Sequence, residues 1–360
     1  MLLHGHERSQ YGSHNPHQQQ INNHKKQIVH SIPSKKELNI LLDYFQDRKF
    51  NEAENQALLI IKRFPKHQFS WKVLGILYEQ TNRLVDSLTA SKKAVELNAL
   101  DSQAHFNLGN IYSKLGKLEN AIESYNQAIK LKAKYFLAYF NLGNTLKKQG
   151  KLDDAKLAYQ KVIALNPNYA EAHNNLGTID QQLGNLKKAE ESYRNAIYFK
   201  DDFINAQFNL SNVLKEYGKF EQAEAGYKKV IKLNPNHAEA HNNLGVILQL
   251  LSKFDEAKVF LKKAVLIKSN YSEAYYNLGN ILQQTGKLEE AEINLRKSIS
   301  LKNDFPEVHN NLGGLLQEIG KLKESLSYYK QAIKLKPDYA EAHRNITLLK
   351  KFNKRDNQFL

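Results

Sequence analysis

The chain repeats itself every 34 residues, and this period limits its possible folds more than any other feature of the sequence. One column of the repeat is glycine except where Ser211 replaces it: Gly75, Gly109, Gly143, Gly177, Gly245, Gly279 and Gly313. A second column keeps the same spacing with Gly116, Gly150, Gly184, Gly218, Gly286 and Gly320. No insertion or deletion breaks the register between residues 34 and 339, which therefore hold nine repeats. Such a chain folds as a stack of similar units in which each unit contacts only its neighbours.

Each repeat has the pattern of two amphipathic helices joined by a turn. In the third repeat, 102–135, the spacing of one buried helical face (i, i+3, i+4, i+7) is kept by His105, Leu108, Gly109 and Tyr112. Gly116 ends this helix, and a second apolar stripe runs from Leu118 to Ile129. The sequence therefore predicts an all-α fold, an α–α superhelix of about nine 34-residue helix–turn–helix repeats.

Helix ends are also indicated by local sequence. A polar residue followed three places later by glutamate predicts a capping box, because each of the two side chains can accept from a free N–H group. This pattern begins at Asn168, Asn236, Asn270, Asp304 and Asp338. Proline cannot continue a helix, so the preceding helix is predicted to end before Pro65, Pro167, Pro235 and Pro337.

Between residues 34 and 339 the pattern resembles the tetratricopeptide repeat family. The resemblance rests on the small residue of the first helix, a small residue twelve places later, the terminal proline, and an aromatic residue or leucine in the second helix. The last column is Tyr125, Tyr159, Tyr193, Tyr227, Leu261, Leu295 and Tyr329. Leu41 in place of glycine, and Asp180 in place of tyrosine or leucine, depart from the pattern. The resemblance implies a tetratricopeptide (TPR) solenoid with a concave groove.

The segments that flank the repeats are predicted to differ from them. Residues 1–33 are rich in His, Gln and Asn and have no period, so we expect a disordered segment. Residues 340–360 begin as another first helix and become basic. We expect them to form a capping helix with a polar outer face and a tail, because a repeat stack needs closed ends.

Composition narrows the classes of function. The chain has no cysteine, which excludes disulfides and thiolate chemistry and fits a reducing compartment. It has no run of 18 apolar residues, and its first residues lack the apolar run of a secretion signal. We therefore expect a soluble, cytoplasmic protein with no membrane span.

No catalytic, cofactor or metal site stands out above the repeat pattern. One place in the first helix is shared by His105, His173, His241, His309 and His343. Repeats stack roughly 10 Å apart, whereas zinc needs ligands within about 2 Å, so we expect these histidines to pack rather than to bind metal. The glycine–lysine pairs of the second glycine column lack the rest of a phosphate loop. We expect no enzyme activity and no cofactor.

The candidate binding residues lie on the first helix opposite its buried stripe. Counting from the first residue of each repeat (34, 68, 102 and so on), they occupy places 2, 5, 6, 9, 12 and 13, and the resemblance implies that this face lines the groove. Place 6 is asparagine from the third repeat onward: Asn107, Asn141, Asn175, Asn209, Asn243, Asn277, Asn311, and Asn345 in the cap. Place 5 is aromatic in four repeats: Phe106, Phe140, Phe208 and Tyr276. Place 9 adds Asn110, Asn144, Asn212 and Asn280.

Asparagine carries two donors and an acceptor, which suits an extended peptide backbone of any sequence. We therefore predict that these asparagines and aromatic residues bind a peptide. The alternative is that the asparagines bond between neighbouring helices and lock the stack, and the two roles can coexist.

The charge of the chain, +15, favours anionic partners in general. Over repeats three to nine, however, the six groove places hold six glutamates and four lysines. The basic surplus therefore lies on the second helices, and nucleic acid is not expected in the groove. The sequence does not indicate an oligomeric state.

The column of asparagines at place 6, called here the asparagine ladder, resembles that of the TPR superhelix of O-linked N-acetylglucosamine transferases and of related bacterial TPR proteins. Because no catalytic domain follows the capping helix, we predict a non-catalytic scaffold that binds an extended peptide or partner protein in the groove. The alternative is the substrate-recruiting TPR region of such a glycosyltransferase, with the catalytic domain absent from this chain.

Overall fold

The computed structural model describes residues 32–356, with side chains described up to residue 349. The segment predicted to be disordered, 1–33, lies almost entirely outside this range. Over the described residues the chain forms nineteen helices and no strand, which confirms the predicted all-α helical repeat. None of these helices is both long enough and apolar enough to cross a lipid bilayer.

The chain divides into two compact units, residues 1–165 and 166–360, and each is described by itself. The described helices of the first unit are α1 (Lys35–Gln46), α2 (Phe50–Arg63), α3 (Gln68–Gln80), α4 (Leu84–Leu97), α5 (Ser102–Lys114), α6 (Leu118–Leu131), α7 (Phe136–Lys148) and α8 (Leu152–Leu165). Odd-numbered helices are the first helices of the repeats, and even-numbered helices are the second.

The second unit continues the same order. Its described helices are α9 (Ala170–Gln182), α10 (Leu186–Phe199), α11 (Ile204–Glu216), α12 (Phe220–Leu233), α13 (Ala238–Leu250), α14 (Phe254–Ile267), α15 (Ser272–Gln284), α16 (Leu288–Leu301), α17 (Pro306–Glu318), α18 (Leu322–Leu335) and α19 (Ala340–Asp356). Within each unit every helix packs against the next one along the chain. The helix α19 lies in the segment predicted to cap the stack.

The first glycine column allows a buried ring from the second helix to lie against the backbone of the first helix. A Cβ atom added at Gly109 would lie 2.6 Å from Tyr125 Cε1, and one added at Gly177 would lie 2.8 Å from Tyr193 Cε1. Both tyrosines are almost completely buried. Since non-bonded carbons prefer separations of about 3.5–4.0 Å, a side chain at either glycine would force the two helices apart.

The two departures from the repeat pattern are accommodated in the structure. Leu41 is fully buried in the core of the first unit. Asp180 is buried within α9, which stays regular around it, and its backbone carbonyl accepts from the N–H of Asn185 at 2.8 Å. Neither departure interrupts a helix.

The second glycine column sits at the turn between the two helices of a repeat. All six of its glycines have φ between 71° and 79°, the left-handed region that favours glycine. In three repeats the same place holds a residue with a side chain, and φ is still positive: Arg48 at 57°, Asn82 at 59° and Ser252 at 60°. The turn therefore imposes this conformation whichever residue occupies the place.

We expect Ser252→Gly to raise the free energy of unfolding by about 0.5–1 kcal/mol. Glycine relieves the strain of about 1–2 kcal/mol that a left-handed conformation imposes on an L-residue. The greater freedom of glycine in the unfolded chain opposes this gain by about 0.5–1 kcal/mol. Urea denaturation measures the change. The reverse substitution in a glycine turn, Gly218→Ser, should lower stability by a similar amount, and a loss of stability in Ser252→Gly would contradict the account.

The capping boxes predicted from the sequence are wrong at four helix starts. The residues that precede the first helical turn there are Tyr169, His237, Tyr271 and Phe305, one place after the predicted polar residue in each case. A capping box does form at Ser34, whose side chain accepts from the N–H of Glu37. The prolines behave as predicted, since the helix before each of the four ends two residues ahead of it.

The shared histidines fasten each first helix to the turn that precedes it. In all five, Nε2 lies 2.8–3.0 Å from the backbone carbonyl oxygen six residues earlier. Because a carbonyl can only accept, Nε2 carries the proton. Burial lowers the pKa of His241, which keeps that ring neutral. The histidines therefore have a structural role that the packing prediction did not specify.

Candidate peptide-binding face

The candidate site is, within each unit, the surface formed by places 5, 6 and 9 of the odd-numbered helices in repeats three to nine, called here the A-helix face. Most of its asparagines at place 6 are half-buried, and Asn107 is buried. These residues therefore lie where they can contact both a neighbouring helix and a ligand. Their hydrogen bonds show how each is used.

In the first of two arrangements, the asparagine at place 6 donates to an asparagine at place 9 of the preceding repeat. Asn243 Nδ2 lies 3.0 Å from Asn212 Oδ1, which also accepts from the hydroxyl of Tyr227 at 2.7 Å. Burial raises the pKa of Tyr227, so its hydroxyl keeps the proton that it donates. The same arrangement joins Asn141 to Asn110 at 2.8 Å and Asn311 to Asn280 at 3.0 Å.

In the second arrangement the acceptor moves to place 5. Asn277 Nδ2 donates to Asn242 Oδ1 at 2.9 Å, and Asn242 Nδ2 in turn donates to Asn243 Oδ1 at 3.3 Å. The same pattern joins Asn209 to Asn174 at 3.1 Å and Asn345 to Asn310 at 3.1 Å.

The choice between the two arrangements follows from the sequence. Where place 5 is aromatic, place 9 is asparagine; where place 5 is asparagine, place 9 is Thr178, Val246 or Gly314. Every repeat from the third to the ninth thus carries one asparagine acceptor for the repeat that follows it. This mutual exclusion is a sequence signal for the locking role, and it can be found without a structure.

The ladder begins at Asn107, where its pattern breaks. Asn107 Oδ1 accepts from Gln103 Nε2 at 2.9 Å, but its buried Nδ2 has no partner among the described residues. The preceding repeat explains this, because its places 5 and 9 hold Lys72 and Ile76, and neither is an acceptor.

The aromatic residues predicted to grip a ligand pack largely against the array itself. Phe106 lies 5.0 Å from Tyr135 and 6.0 Å from Tyr125, between ring centroids. Phe208 lies in the same way 4.8 Å from the ring of His237. Phe140, Phe208 and Tyr276 keep part of their surface exposed, whereas Phe106 is buried.

From the third repeat onward, the last residue of each repeat forms a second aromatic column that the sequence analysis missed. It comprises Tyr135, Tyr169, Phe203, His237, Tyr271, Phe305 and Tyr339. In five of these a lysine three residues earlier places its ammonium group 4.7–5.3 Å from the ring centroid. The signal was present as one more column at the 34-residue period.

In the first unit, Asn141 of the asparagine ladder and its acceptor Asn110 line a polar cavity of about 330 Å³. Asn110, Asn141 and Asn144 border it, and the ion pair between Glu79 and Lys114, 2.8 Å long, lies at its edge. The A-helix face therefore has a recess in which amide groups are accessible.

In the second unit, the asparagines at place 6 differ in whether Oδ1 already accepts a hydrogen bond. Asn209 and Asn277 each make a single side-chain hydrogen bond within the described residues, through Nδ2. Their Oδ1 atoms remain available to a ligand. In Asn243 and Asn311, by contrast, Oδ1 already accepts from the preceding asparagine.

Sequence models described as TPR repeat or tetratricopeptide repeat match residues 90–123, 109–150, 143–184, 170–203, 212–252, 236–304 and 272–338. Together they span 90–203 and 212–338. The chain belongs to the tetratricopeptide repeat family. A comparison with curated proteins finds no match.

Solved structures of other repeat proteins resemble this TPR array. The Cut9–Hcn1 hetero-tetramer of the APC/C is 14% identical, with a TM-score of 0.55, over 83% of this chain and 59% of its own. Pseudomonas aeruginosa pilF is 21% identical, with a TM-score of 0.53, over 58% of this chain and 95% of its own. These two share the fold. YrrB, a TPR protein with an unusual peptide-binding site, is 26% identical over 51% of this chain and 95% of its own, with a TM-score of 0.46.

Proposed function

We propose that this TPR protein is a non-catalytic interaction scaffold that binds an extended peptide, or an extended segment of a partner protein, along its A-helix face. Membership of the TPR family supports a protein-interaction scaffold. The observation that carries the finer proposal is the pair of uncommitted amide oxygens on Asn209 and Asn277. Each belongs to a half-buried residue of the A-helix face and has no internal donor among the described residues.

The spacing of these two acceptors suits an extended chain. Helix layers pack roughly 8–10 Å apart, so Asn209 and Asn277, which lie two repeats apart, are separated by about 20 Å. An extended peptide rises about 3.3 Å per residue, and about six residues span that distance. Because backbone groups of an extended chain alternate with a period of two, residues six apart present their N–H groups on the same side.

The charges of this face favour a polypeptide over a nucleic acid. Beside this face, two of the glutamates at place 2 pair with lysines: Glu171 lies 3.2 Å from Lys200, and Glu239 lies 2.9 Å from Lys268. A phosphate backbone would compete with these carboxylates for the same lysines. A neutral peptide backbone would leave both ion pairs in place.

The test compares two pairs of asparagines that all donate to the preceding repeat but differ in the availability of Oδ1. We expect Asn209→Ala with Asn277→Ala to weaken binding of a peptide by about 1–3 kcal/mol, or about five- to 150-fold, since each lost hydrogen bond is worth about 0.5–1.5 kcal/mol. The peptide is selected on the full chain from a random display library, and binding is measured by calorimetry.

The matched control is Asn243→Ala with Asn311→Ala, which also removes two inter-helix donors but no available oxygen. Its effect on peptide affinity should be less than about twofold, or about 0.4 kcal/mol, which is under half of a typical hydrogen bond of about 1 kcal/mol. Equal weakening by the two pairs would show that stack integrity, not ligand contact, determines binding, and the proposed face would be wrong.

The substrate-recruiting region of an O-linked N-acetylglucosamine transferase-like enzyme stays the alternative proposal, because it would use the same ladder. The predicted absence of enzyme activity and the predicted cytoplasmic location also stay predictions. Co-purification of the full chain with glycosyltransferase activity would favour the alternative.

A further inference from the structure

The second unit contains a cavity of about 660 Å³ that does not belong to the A-helix face. It lies between α10 and α12, and α11 forms its floor. Leu210 and Leu214 at the floor are almost fully buried, whereas Tyr198 at the rim is 82% exposed. Lys229 and Asp201 form an ion pair of 2.6 Å across the rim. The cavity is thus apolar below and polar above.

Repeat six differs from the other repeats in two small residues at the cavity. Its first helix carries Ser211 where the other repeats from the second onward have glycine, and its second helix carries Gly226 at place 23. A Cβ atom at Gly226 would lie 2.1 Å from Ser211 Oγ, so the serine excludes a side chain there. Repeats seven and nine carry Phe260 and Tyr328 at this place.

Repeat nine shows how an aromatic ring fits this place. Tyr328 stacks on His309 with ring centroids 5.8 Å apart, and its hydroxyl oxygen accepts from Arg296 Nη1 at 2.8 Å. Arg296 is held by Glu292, which accepts from its Nε at 2.9 Å and its Nη2 at 2.8 Å. Lys321 also contacts Glu292, at 3.0 Å.

The same arrangement stands 102 residues earlier, around the cavity, except that Gln222 replaces Glu324, which accepts from Arg296 Nη2 at 2.8 Å. Glu190 accepts from Arg194 Nε at 3.0 Å and from Nη2 at 2.8 Å, and Lys219 contacts Glu190 at 3.1 Å. Arg194 Nη1 has no partner among the described residues. Gln207 replaces the histidine; it is 8% exposed, it lines the cavity, and its side-chain amide makes no hydrogen bond in the described part of the chain.

We infer that this cavity binds the side chain of a tyrosine supplied by a partner protein. The partner's ring lies where Tyr328 lies in repeat nine, over Gln207 and against Leu210 and Leu214. Its hydroxyl oxygen accepts from Arg194 Nη1, while Gln207 supplies a second polar contact. The site is independent of the A-helix face, since none of its residues occupies places 5, 6 or 9.

The charges around the cavity favour an unmodified tyrosine over phosphotyrosine. Glu190 already pairs with Arg194 and Lys219, and Asp201 already pairs with Lys229. A phosphate group would bring about two negative charges close to both carboxylates, whereas a neutral phenol brings none.

The first unit supplies an internal control. A cavity of about 400 Å³ lies at the equivalent place between α6 and α8, beside Ala158. Asn126 stands there in the position of Arg194, and Ile122 stands in the position of Glu190. This cavity lacks the oriented guanidinium and should not distinguish tyrosine from phenylalanine.

The probes are N-acetyl-tyrosinamide and its phenylalanine and phosphotyrosine analogues, titrated into the full chain with labelled Leu and Ile methyl groups. We expect the tyrosine probe to shift the methyl signals of Ile197, Leu210 and Leu214 with a dissociation constant on the order of millimolar. The phenylalanine probe should bind about tenfold more weakly, because it lacks the oxygen that pairs with a charged donor. Arg194→Met should abolish this difference.

A second variant closes the cavity with the ring of repeat nine. Ser211→Gly with Gly226→Tyr removes the clash and places a tyrosine in cis, so the tyrosine probe should no longer shift the three methyl signals. If this variant does not fold, as judged by circular dichroism, the Arg194→Met comparison still decides. Equal affinity for tyrosine and phenylalanine, stronger binding of phosphotyrosine, or no shift at ten times the expected dissociation constant would overturn the inference.

Discussion

Gly177→Leu is expected to lower the free energy of unfolding by about 1–3 kcal/mol or more. The new side chain begins 2.8 Å from the ring of Tyr193, which is fully buried and has no space into which it can move. Helices α9 and α10 must therefore separate. Urea denaturation measures the loss, and hydrogen exchange should place the damage in repeat five and its neighbours, because contacts in a repeat array are local.

One substitution made at two glycines provides the matched control. Gly177→Ala should also destabilise, since the clash begins at Cβ. Gly314→Ala should instead stabilise the chain by up to about 1 kcal/mol, because a Cβ there meets only the hydroxyl of Tyr329 at 3.7 Å and alanine favours a helix. If both alanine variants changed stability in the same direction, close helix approach at Gly177 would not be the cause.

Asn242→Phe is expected to lower the free energy of unfolding by about 1–3 kcal/mol, the cost of leaving a buried partner without its hydrogen bond. Asn242 is fully buried and accepts from Asn277. Phenylalanine supplies no acceptor, although a ring is accepted at this place in neighbouring repeats. Thermal and urea unfolding measure the loss.

Adding Val246→Asn should recover most of that stability. The double variant gives repeat seven the arrangement of repeats six and eight, with a ring at place 5 and an asparagine acceptor at place 9. A double-mutant cycle should therefore show a coupling of at least about 0.5 kcal/mol. Purely additive effects would mean that the alternation of acceptors does not hold the stack together.

The sequence was sufficient to predict the helices, because glycine and proline mark the helix ends and the 34-residue period has no insertion or deletion. It was insufficient for the helix starts. At four predicted caps the asparagine or aspartate lies one residue too early, and at two of these starts the aromatic residue that follows, Tyr271 or Phe305, contacts a lysine of the preceding turn. Capping statistics describe a single helix, whereas these turns are shaped by packing between repeats.

The site was predicted as a set of residues but not as a set of contacts. A column of asparagines is compatible with binding, with locking, or with both, and only the distances show that the amide nitrogens of Asn141, Asn209, Asn243, Asn277, Asn311 and Asn345 donate to a preceding repeat. The exchange between Ser211 and Gly226 was also out of reach. Its two members are fifteen residues apart on different helices, so neither is informative until the pair is seen in contact.

The arrangement of the ladder has a consequence for how such an array can change length in evolution. The donor stands at the same place in every repeat, and each repeat brings its own acceptor, either at place 5 or at place 9. A gene that lost or duplicated any one repeat between the third and the ninth would still offer an acceptor to every donor except the first, as is the case for Asn107 now. The repeats are therefore interchangeable modules with a common connector, and the A-helix face can be shortened, lengthened or reordered without leaving a further amide unpaired.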